Sequence, residues 1–527
     1  DREGSALFDY RVWVLASDGD LMEGVASEAS SLAGHLGLDR LVVLWDDNRI
    51  SIDGGTDLAF TEDVCARYRA YGWRVLEVDD VNDLAALDTA LAAASEESDR
   101  PAFVRVRTHI GFGAPRKQGT AAAHGSPLGA EELRAAKENL GWPLEPTFHV
   151  PDAAREEFAD ARRRGAEAHA AWRRSVDALR AAQPELGARL DGWLAGELPS
   201  DWMEALPTFA PDQGPIATRA ASGKVLSALA ERLPQLLGGS ADLAGSNQTF
   251  VKGREIQARD VPGGANFHFG VREHAMAAAA NGMALSGMLR PYVGTFLIFA
   301  DYLRPALRLA ALMGTPTIFV LTHDSIFLGE DGPTHQPVAV LASLRALPNV
   351  LVLRPADANE TVAAWKLAIE TTDRPTCLVL TRQKLPVLEE IGERAIDGVA
   401  RGGYVVAEDA AADVTLLATG SEVSLALAAR AELAARDVSA RVVSLPSWKR
   451  FDALDASDRD AVLGAAPRLA IEAACSFGWH RYLRPGDDVL AQDGFGASAP
   501  AGRLAEHFGF TAEHVADRAQ ALVGDGR

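Results

Sequence analysis

A chain of 527 residues is too long for one hydrophobic core, and domains of roughly 100–200 residues imply about three of them. Its 48% apolar and 24% charged content is ordinary for a soluble globular protein. With 52 basic against 73 acidic side chains the net charge is −21. That argues against a nucleic-acid or anionic-membrane surface, but leaves room for a local basic pocket that takes a phosphorylated metabolite.

Cys65, Cys377 and Cys475 are few, odd in number and far apart. They resemble neither a disulfide framework nor a zinc ligand set, which predicts a reducing, cytoplasmic compartment. The longest apolar candidate, "AMAAAANGMALSGML" at 275–289, is too short to span a bilayer and reads as a closely packed interior helix. Residues 1–10 are polar and acidic, unlike a signal peptide. The chain opens on Asp1 and leads almost directly into a core strand, so it reads as the continuation of something longer.

In chain order, "RVWVLAS" is a buried strand, 21–37 a helix, "RLVVLWDDN" a second buried strand and "RPAFVRVRT" at 100–108 a third. Apolar strands alternating with helices predict βαβ units and parallel sheets, an α/β architecture. The Ala/Arg/Glu-rich stretch 153–197 predicts helix wrapped on the outside of a domain. Residues 198–215 hold four prolines and read as linker. The alternation resumes with "PTIFVLTHD", "NVLVLRP" and "PTCLVLTRQ", and again in a third block with "DVTLLATGSEVSLALAARAEL". The "LATGSEVS" turn is read as a plain Gly-Ser start to a helix.

Asp18 closes the first strand and Asn48 the second, with one helical stretch between them. A right-handed crossover brings consecutive parallel strand ends to the same sheet edge. One carboxylate and one amide oxygen would then lie side by side, a donor set suited to Mg²⁺ or Ca²⁺ completed by diphosphate oxygens. Gly19 lets a diphosphate approach the backbone, and the following helix start offers N–H groups to an anion.

"SDGDLMEG" followed by "WDDNRISIDG" resembles the GDG…N signature of thiamine-diphosphate enzymes, and in particular that of the transketolase family. The likeness continues in family order through "GFGAPRKQGTAAAHGSPLG" (111–129), "GGSADLAGSNQT" (238–249), "FGVREHAM" (269–276), "GTFLIFADY" (294–302), "THDSIFLGEDGPTHQP" (322–337) and "TRQ" (381–383). It implies three α/β domains with mostly parallel sheets. They are a diphosphate-binding domain at 1–190 (incomplete at its N-terminus), a linker at 191–215, a pyrimidine-binding domain at 216–395 and a C-terminal domain at 396–527.

The resemblance implies thiamine diphosphate and Mg²⁺ (or Ca²⁺) as cofactors, with the metal held by Asp18, Asn48 and the carbonyl of Ile50. Gly19 would lie against the diphosphate. Glu273 would protonate the aminopyrimidine ring, and Phe296, Phe299 and Tyr302 would enclose it. An apolar setting favours a protonated Glu, and Phe267, Phe269 and Met276 flank Glu273 in sequence. His335 and Asp331 would contact donor-sugar hydroxyls; Arg219, Ser246, His323 and Arg382 the acceptor phosphate. His124 would stand near the cofactor and the acceptor carbonyl.

The implied activity is transfer of a two-carbon ketol group from a ketose phosphate to an aldose phosphate, in the pentose phosphate pathway. The implied partners are sugar phosphates and a second copy of the chain, with active sites at the interface of a homodimer. No nucleic acid or membrane partner is expected. Two departures stand out. Ala121 occupies a position where the family more often has His. The family also carries well over a hundred residues, including a Gly-His-Gly turn, before the position matching Asp1; without its first βα units the sheet would expose apolar strand edges. Alternatives are a catalytically incomplete dimeric relative, dihydroxyacetone synthase or 1-deoxyxylulose-5-phosphate synthase.

Overall fold

Parallel strands alternate with helices along most of the chain in a computed structural model that describes residues 7–97, 99–409 and 411–524. The chain divides into two units, one running to Gly192 with Ala258–Asp260, the other comprising Trp193–Gln257 and the chain from Val261 onward.

The first unit runs β1 (Val12–Ser17), α1 (Asp18–Met22), α2 (Gly24–Leu36), β2 (Leu41–Asp47), α3 (Val64–Ala70), β3 (Arg74–Val78), α4 (Leu84–Glu96) and β4 (Ala102–Arg107). These strands form a parallel sheet in the order β1-β2-β4-β3. The helix expected at 21–37 is two helices, because Glu23 is extended (φ −62°, ψ 133°). The first already begins at Asp18, where the Asp20 carboxylate accepts from the Ser17 backbone N–H at 2.8 Å. Gly37, at φ 62°, takes the left-handed turn that ends α2.

β1 departs from the buried strand that its apolar run suggests. It is an edge strand, and Leu15 is 84% exposed, Val12 48% and Trp13 44%. Among the described residues nothing covers this flank. Beyond the sheet, α5 (Ala130–Asn139), α6 (Asp152–Ala182) and α7 (Pro184–Ala195) follow. Val176 is the single buried side chain of the 31-residue α6, which fits a helix laid on an outer surface.

The second unit opens with α8 (Thr218–Arg232), β5 (Leu236–Ser240), α9 (Ala244–Asn247), β6 (Asn266–His268), α10 (Glu273–Leu285), β7 (Arg290–Phe296) and α11 (Ala300–Met313). It continues through β8 (Ile318–Thr322), α12 (Val340–Arg345), β9 (Leu351–Leu353), α13 (Ala358–Glu370) and β10 (Thr376–Leu380). The six strands pair in the order β6-β5-β7-β8-β10-β9, all parallel. β7, β8 and β10 are apolar almost throughout because both faces of such a sheet are covered; every residue of β8 and β10 is buried.

A third sheet follows α14 (Ala395–Arg401). Its elements are β11 (Tyr404–Ala407), β12 (Val414–Ala418), α15 (Glu422–Ala434), β13 (Ala440–Ser444), β14 (Arg468–Glu472) and β15 (Asp488–Ala491). The order is β11-β13-β12-β14-β15, with β11 antiparallel. One apolar cluster runs through both sheets of this unit, from Val225, Ile318 and Trp365 to Leu416 and Val442.

One feature ties strand ends of this unit together. The Arg354 guanidinium, fully buried after β9, donates to Asp324 Oδ2 at 2.9 Å and to the Thr419 carbonyl at 3.1 Å, and also to the Glu422 carboxylate. Thr419 and Glu422 belong to the "LATGSEVS" turn, so that turn anchors the segment after β8. The Ala-rich helix α10 packs on α11 as an interior helix should, with Ala275, Ala277 and Ala280 buried and Asn281 Nδ2 donating to the Ala306 carbonyl at 2.8 Å. Its other face, Ala278, Gly282 and Leu285, is exposed. No helix among the described residues is long and apolar enough to cross a membrane.

Candidate active site

In the first unit the ends of β1 and β2 are brought side by side, Ser17 facing Asp46 in register. Asp18 is buried at 2% exposure. Its carboxylate accepts from Trp45 Nε1 at 3.2 Å and from the backbone N–H of Arg49 at 2.9 Å. Arg49 stands between Asn48 and Ile50, so Asp18 is pinned to the peptide that carries both other expected metal ligands. Arg49 adopts φ 62°, a left-handed conformation costly for a non-glycine residue; the bond to Asp18 helps hold the turn in it. Asn48 Oδ1 accepts from the Ile50 N–H at 3.0 Å.

Burial, with Asp47 and Asp46 adding repulsion, pushes the Asp18 carboxyl up from its ordinary range, against the bonds from Arg49 and Trp45. A buried carboxylate under that strain is relieved by a cation. Each Asp18 oxygen and the Asn48 amide oxygen still has a lone pair after these bonds. All the donors are hard oxygens, so the set fits Mg²⁺ or Ca²⁺. Gly19 lies in the first turn of α1, and a Cβ there would meet no protein atom within 4 Å. His124 sits half-buried just after the short 3₁₀ turn Ala121–Ala123, its N–H donating to the Ala121 carbonyl at 2.9 Å. No hydrogen bond among the described residues joins it to Asp18.

The second unit gathers the expected aromatic set and the expected loop histidines at the carboxyl ends of β7 and β8, where open α/β sheets place their ligands. Phe296 stacks on the His323 ring with centroids 3.6 Å apart. Phe299 lies 5.9 Å from Phe296 and meets His335 edge-on at 5.6 Å. Tyr302, one step along α11, is 6.1 Å from Phe299 and 64% exposed. Glu273 takes the first position of α10 and is half-buried. Asp331 is exposed in the loop that carries His335.

That loop is stapled by Gln336, which sequence reasoning did not single out. Its buried amide donates to the carbonyls of Ile326, Gly329 and Ala497 at 3.0, 3.3 and 2.9 Å. A Cβ on Gly496 would meet Gln336 Oε1 at 1.9 Å, so only glycine lets the amide reach that far. A Gln inside a Gly/Pro-rich loop is a visible signal, but its partners lie far along the chain.

Arg219, near the start of α8, donates from Nη1 to the Ser246 carbonyl at 2.6 Å. Burial first, and Arg382 next, lower its guanidinium from its ordinary value. Four residues expected around a phosphate are thus neighbours, because Arg219 and Arg382 are also felt at His323. Burial, and then these two arginines and His335, push the His323 imidazole down to about 3. His323 is therefore neutral at any physiological pH.

Its tautomer follows from the bonds around it. Thr322 Oγ1 donates to Asn247 Oδ1 at 2.7 Å, so it can only accept from His323 Nδ1, 2.8 Å away. The proton is on Nδ1, and Nε2 is left as an acceptor. Asn247 is itself oriented by donating to Ser240 Oγ at 3.0 Å. Neither Thr322 nor Asn247 is apparent from sequence; each acts one bond behind the site.

A buried neutral histidine carries a stability signature. The unfolded chain protonates His323 near pH 6.5 and the folded chain only near pH 3, so the unfolded state binds more protons between these values. Stability should fall with pH below 6.5 by up to about 1.4 kcal/mol per unit from this group alone. His323→Gln removes that slope. Denaturant titrations at pH 7.0 and 5.0 should show a smaller acid loss for the variant than for the parent. Equal losses would mean that His323 is protonated in the fold.

Three family models match the chain in order. They are the transketolase thiamine diphosphate binding domain over residues 1–199, the transketolase pyrimidine binding domain over 214–387 and the transketolase-like C-terminal domain over 402–511. The chain is 51% identical over 529 aligned residues to a transketolase of Geobacillus stearothermophilus, covering 99% of this chain and 79% of that protein. It is 49% identical to a transketolase of Halalkalibacterium halodurans, with the same coverage. Among solved structures, a Pichia stipitis transketolase in complex with sedoheptulose 7-phosphate superposes with a TM-score of 0.94 at 44% identity, covering 98% of this chain and 76% of that one. A Leishmania mexicana transketolase does so with a TM-score of 0.96 at 41% identity, covering 99% and 77%. Ordered matches to all three domains, with about half of the residues identical over nearly the whole length, leave one assignment: the chain belongs to the transketolase family.

Proposed function

We propose that this transferase moves a two-carbon ketol group between sugar phosphates at a site built from the two clusters described above. The observation that carries it is the Asp18 turn, where a buried carboxylate is bonded to the peptide between Asn48 and Ile50. When bound, thiamine diphosphate supplies a thiazolium ring, an electron sink for the carbon–carbon bond that is broken and remade.

The roles we assign to the chain's own residues are supported by where they stand in the fold. Asp18, Asn48 and the Ile50 carbonyl would hold a divalent cation, Mg²⁺ or Ca²⁺, and Gly19 would leave room for the diphosphate. Phe296, Phe299 and Tyr302 form an aromatic wall for the pyrimidine ring, and Glu273 holds a proton at that ring. Arg219 and Arg382 carry the charge of the acceptor phosphate, with Ser246 alongside. His323, neutral and with Nε2 free to accept, takes a hydrogen bond from a protonated oxygen of the ligand. His335 and Asp331 read donor hydroxyls, and His124 faces the reacting carbonyl.

We take 1–190, 216–395 and 396–527 as the functional domains and 191–215 as the linker. The cofactor-binding halves come from different copies in a homodimer. Exposed Leu309, Leu312 and Met313 on α11, at 46, 73 and 45%, support an apolar contact between copies. Cytoplasmic action in the pentose phosphate pathway is consistent with the three unpaired cysteines.

Asp18→Ala tests the metal–diphosphate role. Cofactor and cation bind together because the diphosphate supplies ligands that the protein lacks. Calorimetric titration with thiamine diphosphate in the presence of Mg²⁺ should show affinity reduced at least about 100-fold, a loss of 2.7 kcal/mol or so. Unchanged affinity refutes the assignment.

A further inference from the structure

A cavity of about 420 Å³ opens between the start of α8 and the end of β10, lined by Arg219, Lys224, Arg382, Lys384, Gln248 and Phe209 together with residues 213–217. Four cations line it and, among the described residues, no carboxylate does. In a chain of net charge −21 such a concentration calls for an anion. Its walls are fixed by reciprocal bonds. The Thr218 N–H donates to Thr381 Oγ1 at 3.0 Å and the Thr381 N–H to Thr218 Oγ1 at 2.7 Å. Ile216 and Leu385 exchange backbone bonds of 2.9 and 3.1 Å.

Two further features point the same way. The 15-residue α8 begins here, with Ala217 at its cap; its Thr218 N–H is taken by Thr381 Oγ1, and the positive end of its dipole lies beside the cavity that Ala217, Arg219 and Ala220 line. Gln248 lies against α8 only because Gly223 has no side chain, since a Cβ there would stand 2.8 Å from that of Gln248. Ala220 and Lys224 share a helix face one turn apart. Lys224 Nζ sits 5.5 Å over the Phe209 ring.

The acceptor-phosphate reading assigns Arg219 and Arg382 and leaves Lys224 and Lys384, on the wall of the same cavity, without a role. We propose that these two lysines, with Gln248, form a second anion position continuous with the first, so that the site takes ligands carrying two phosphoryl groups. This rests on the reading of Arg219 and Arg382 as the acceptor-phosphate residues. The shared chemistry is a pair of phosphoryl groups, either adjacent, as in inorganic pyrophosphate, or separated by a sugar, as in a hexose bisphosphate.

Calorimetry on the whole chain, without metal, tests it with both probes beside inorganic phosphate and a hexose monophosphate. At least one double phosphate should bind about tenfold more tightly than its single counterpart; the pyrophosphate arm reports adjacent groups and the bisphosphate arm separated ones. The gain should vanish in Lys224→Ala/Lys384→Ala while single-phosphate affinity holds within about threefold. The control Lys137→Ala/Lys366→Ala, with the same loss of charge, should keep it. The proposal falls where neither probe gains, where the gain survives removal of the two lysines, or where the control loses it equally. Arg219→Ala/Arg382→Ala should abolish single-phosphate binding. Its survival there overturns the acceptor-phosphate reading itself, a separate result from loss of the gain alone.

Discussion

Glu273→Gln is expected to remove turnover by about 10²–10⁴-fold, the usual worth of a positioned proton-transfer group, while leaving thiamine diphosphate affinity within a small factor. The carboxyl and the amide have nearly the same shape, so packing at the first position of α10 is kept. What changes is the proton. A competing role must be separated from this one. A carboxylate at a helix N-terminus stabilises the helix by about 0.3–1 kcal/mol, and the neutral amide forfeits that. The turnover loss corresponds to about 2.7–5.5 kcal/mol of transition-state free energy, well beyond any such effect. Thermal unfolding would show the small term and steady-state kinetics the large one. Exchange of the thiazolium proton gives the sharper readout, because it needs no sugar substrate. Exchange at a near-normal rate in Glu273→Gln would end the proton-holding role.

The strand ends and loops of the site are legible in sequence because local chemistry marks them. An apolar run that breaks into Asp18-Gly19-Asp20 is by itself better read as an ordinary turn into a helix; the metal–diphosphate reading comes from adding Asn48 at the next strand end and from the family resemblance. The Gly/Pro-rich loop around His323, Asp331 and His335 is visible as a fixed loop, while the roles expected of those three residues come from the resemblance. Other parts are hidden for physical reasons. β3, "RVLEV", is short and carries Arg74 and Glu77, so its periodicity does not announce a strand, yet it forms the sheet edge opposite β1. β1 reads as buried because apolar side chains signal a hydrophobic environment and cannot say whether this chain supplies it. The cavity of Lys224 and Lys384 is assembled by bonds between segments 163 residues apart, such as Thr218 and Thr381. No local pattern predicts it. The same is true of Arg354, whose partners Asp324 and Glu422 come from separate domains; in sequence it is one more arginine after a strand.

Mixing an Asp18→Ala protein with a Glu273→Gln protein should restore activity that neither has alone. Asp18 lies in the first unit and Glu273 in the second, and the proposed reading has the cofactor held by both. If each active site takes one unit from each of two copies, a heterodimer of the two variants contains one doubly defective site and one intact site. Two-fold symmetry fixes that count. Random reassortment makes about half of all dimers mixed, each with one of two sites working, so the mixture should approach a quarter of parental activity. Sites confined to single chains predict none, because every chain carries a lesion. Exchange must be shown independently, by native mass measurement of differently tagged copies, so that a null result has meaning. The parental protein, taken through the same exchange, sets the scale. Exposed Leu309, Leu312 and Met313 on α11 give a second handle on the same interface. Charged substitutions there should abolish complementation together with dimer formation, whereas the same substitutions at an uninvolved surface would leave both intact. Confirmed exchange without returned activity would place each site within one chain.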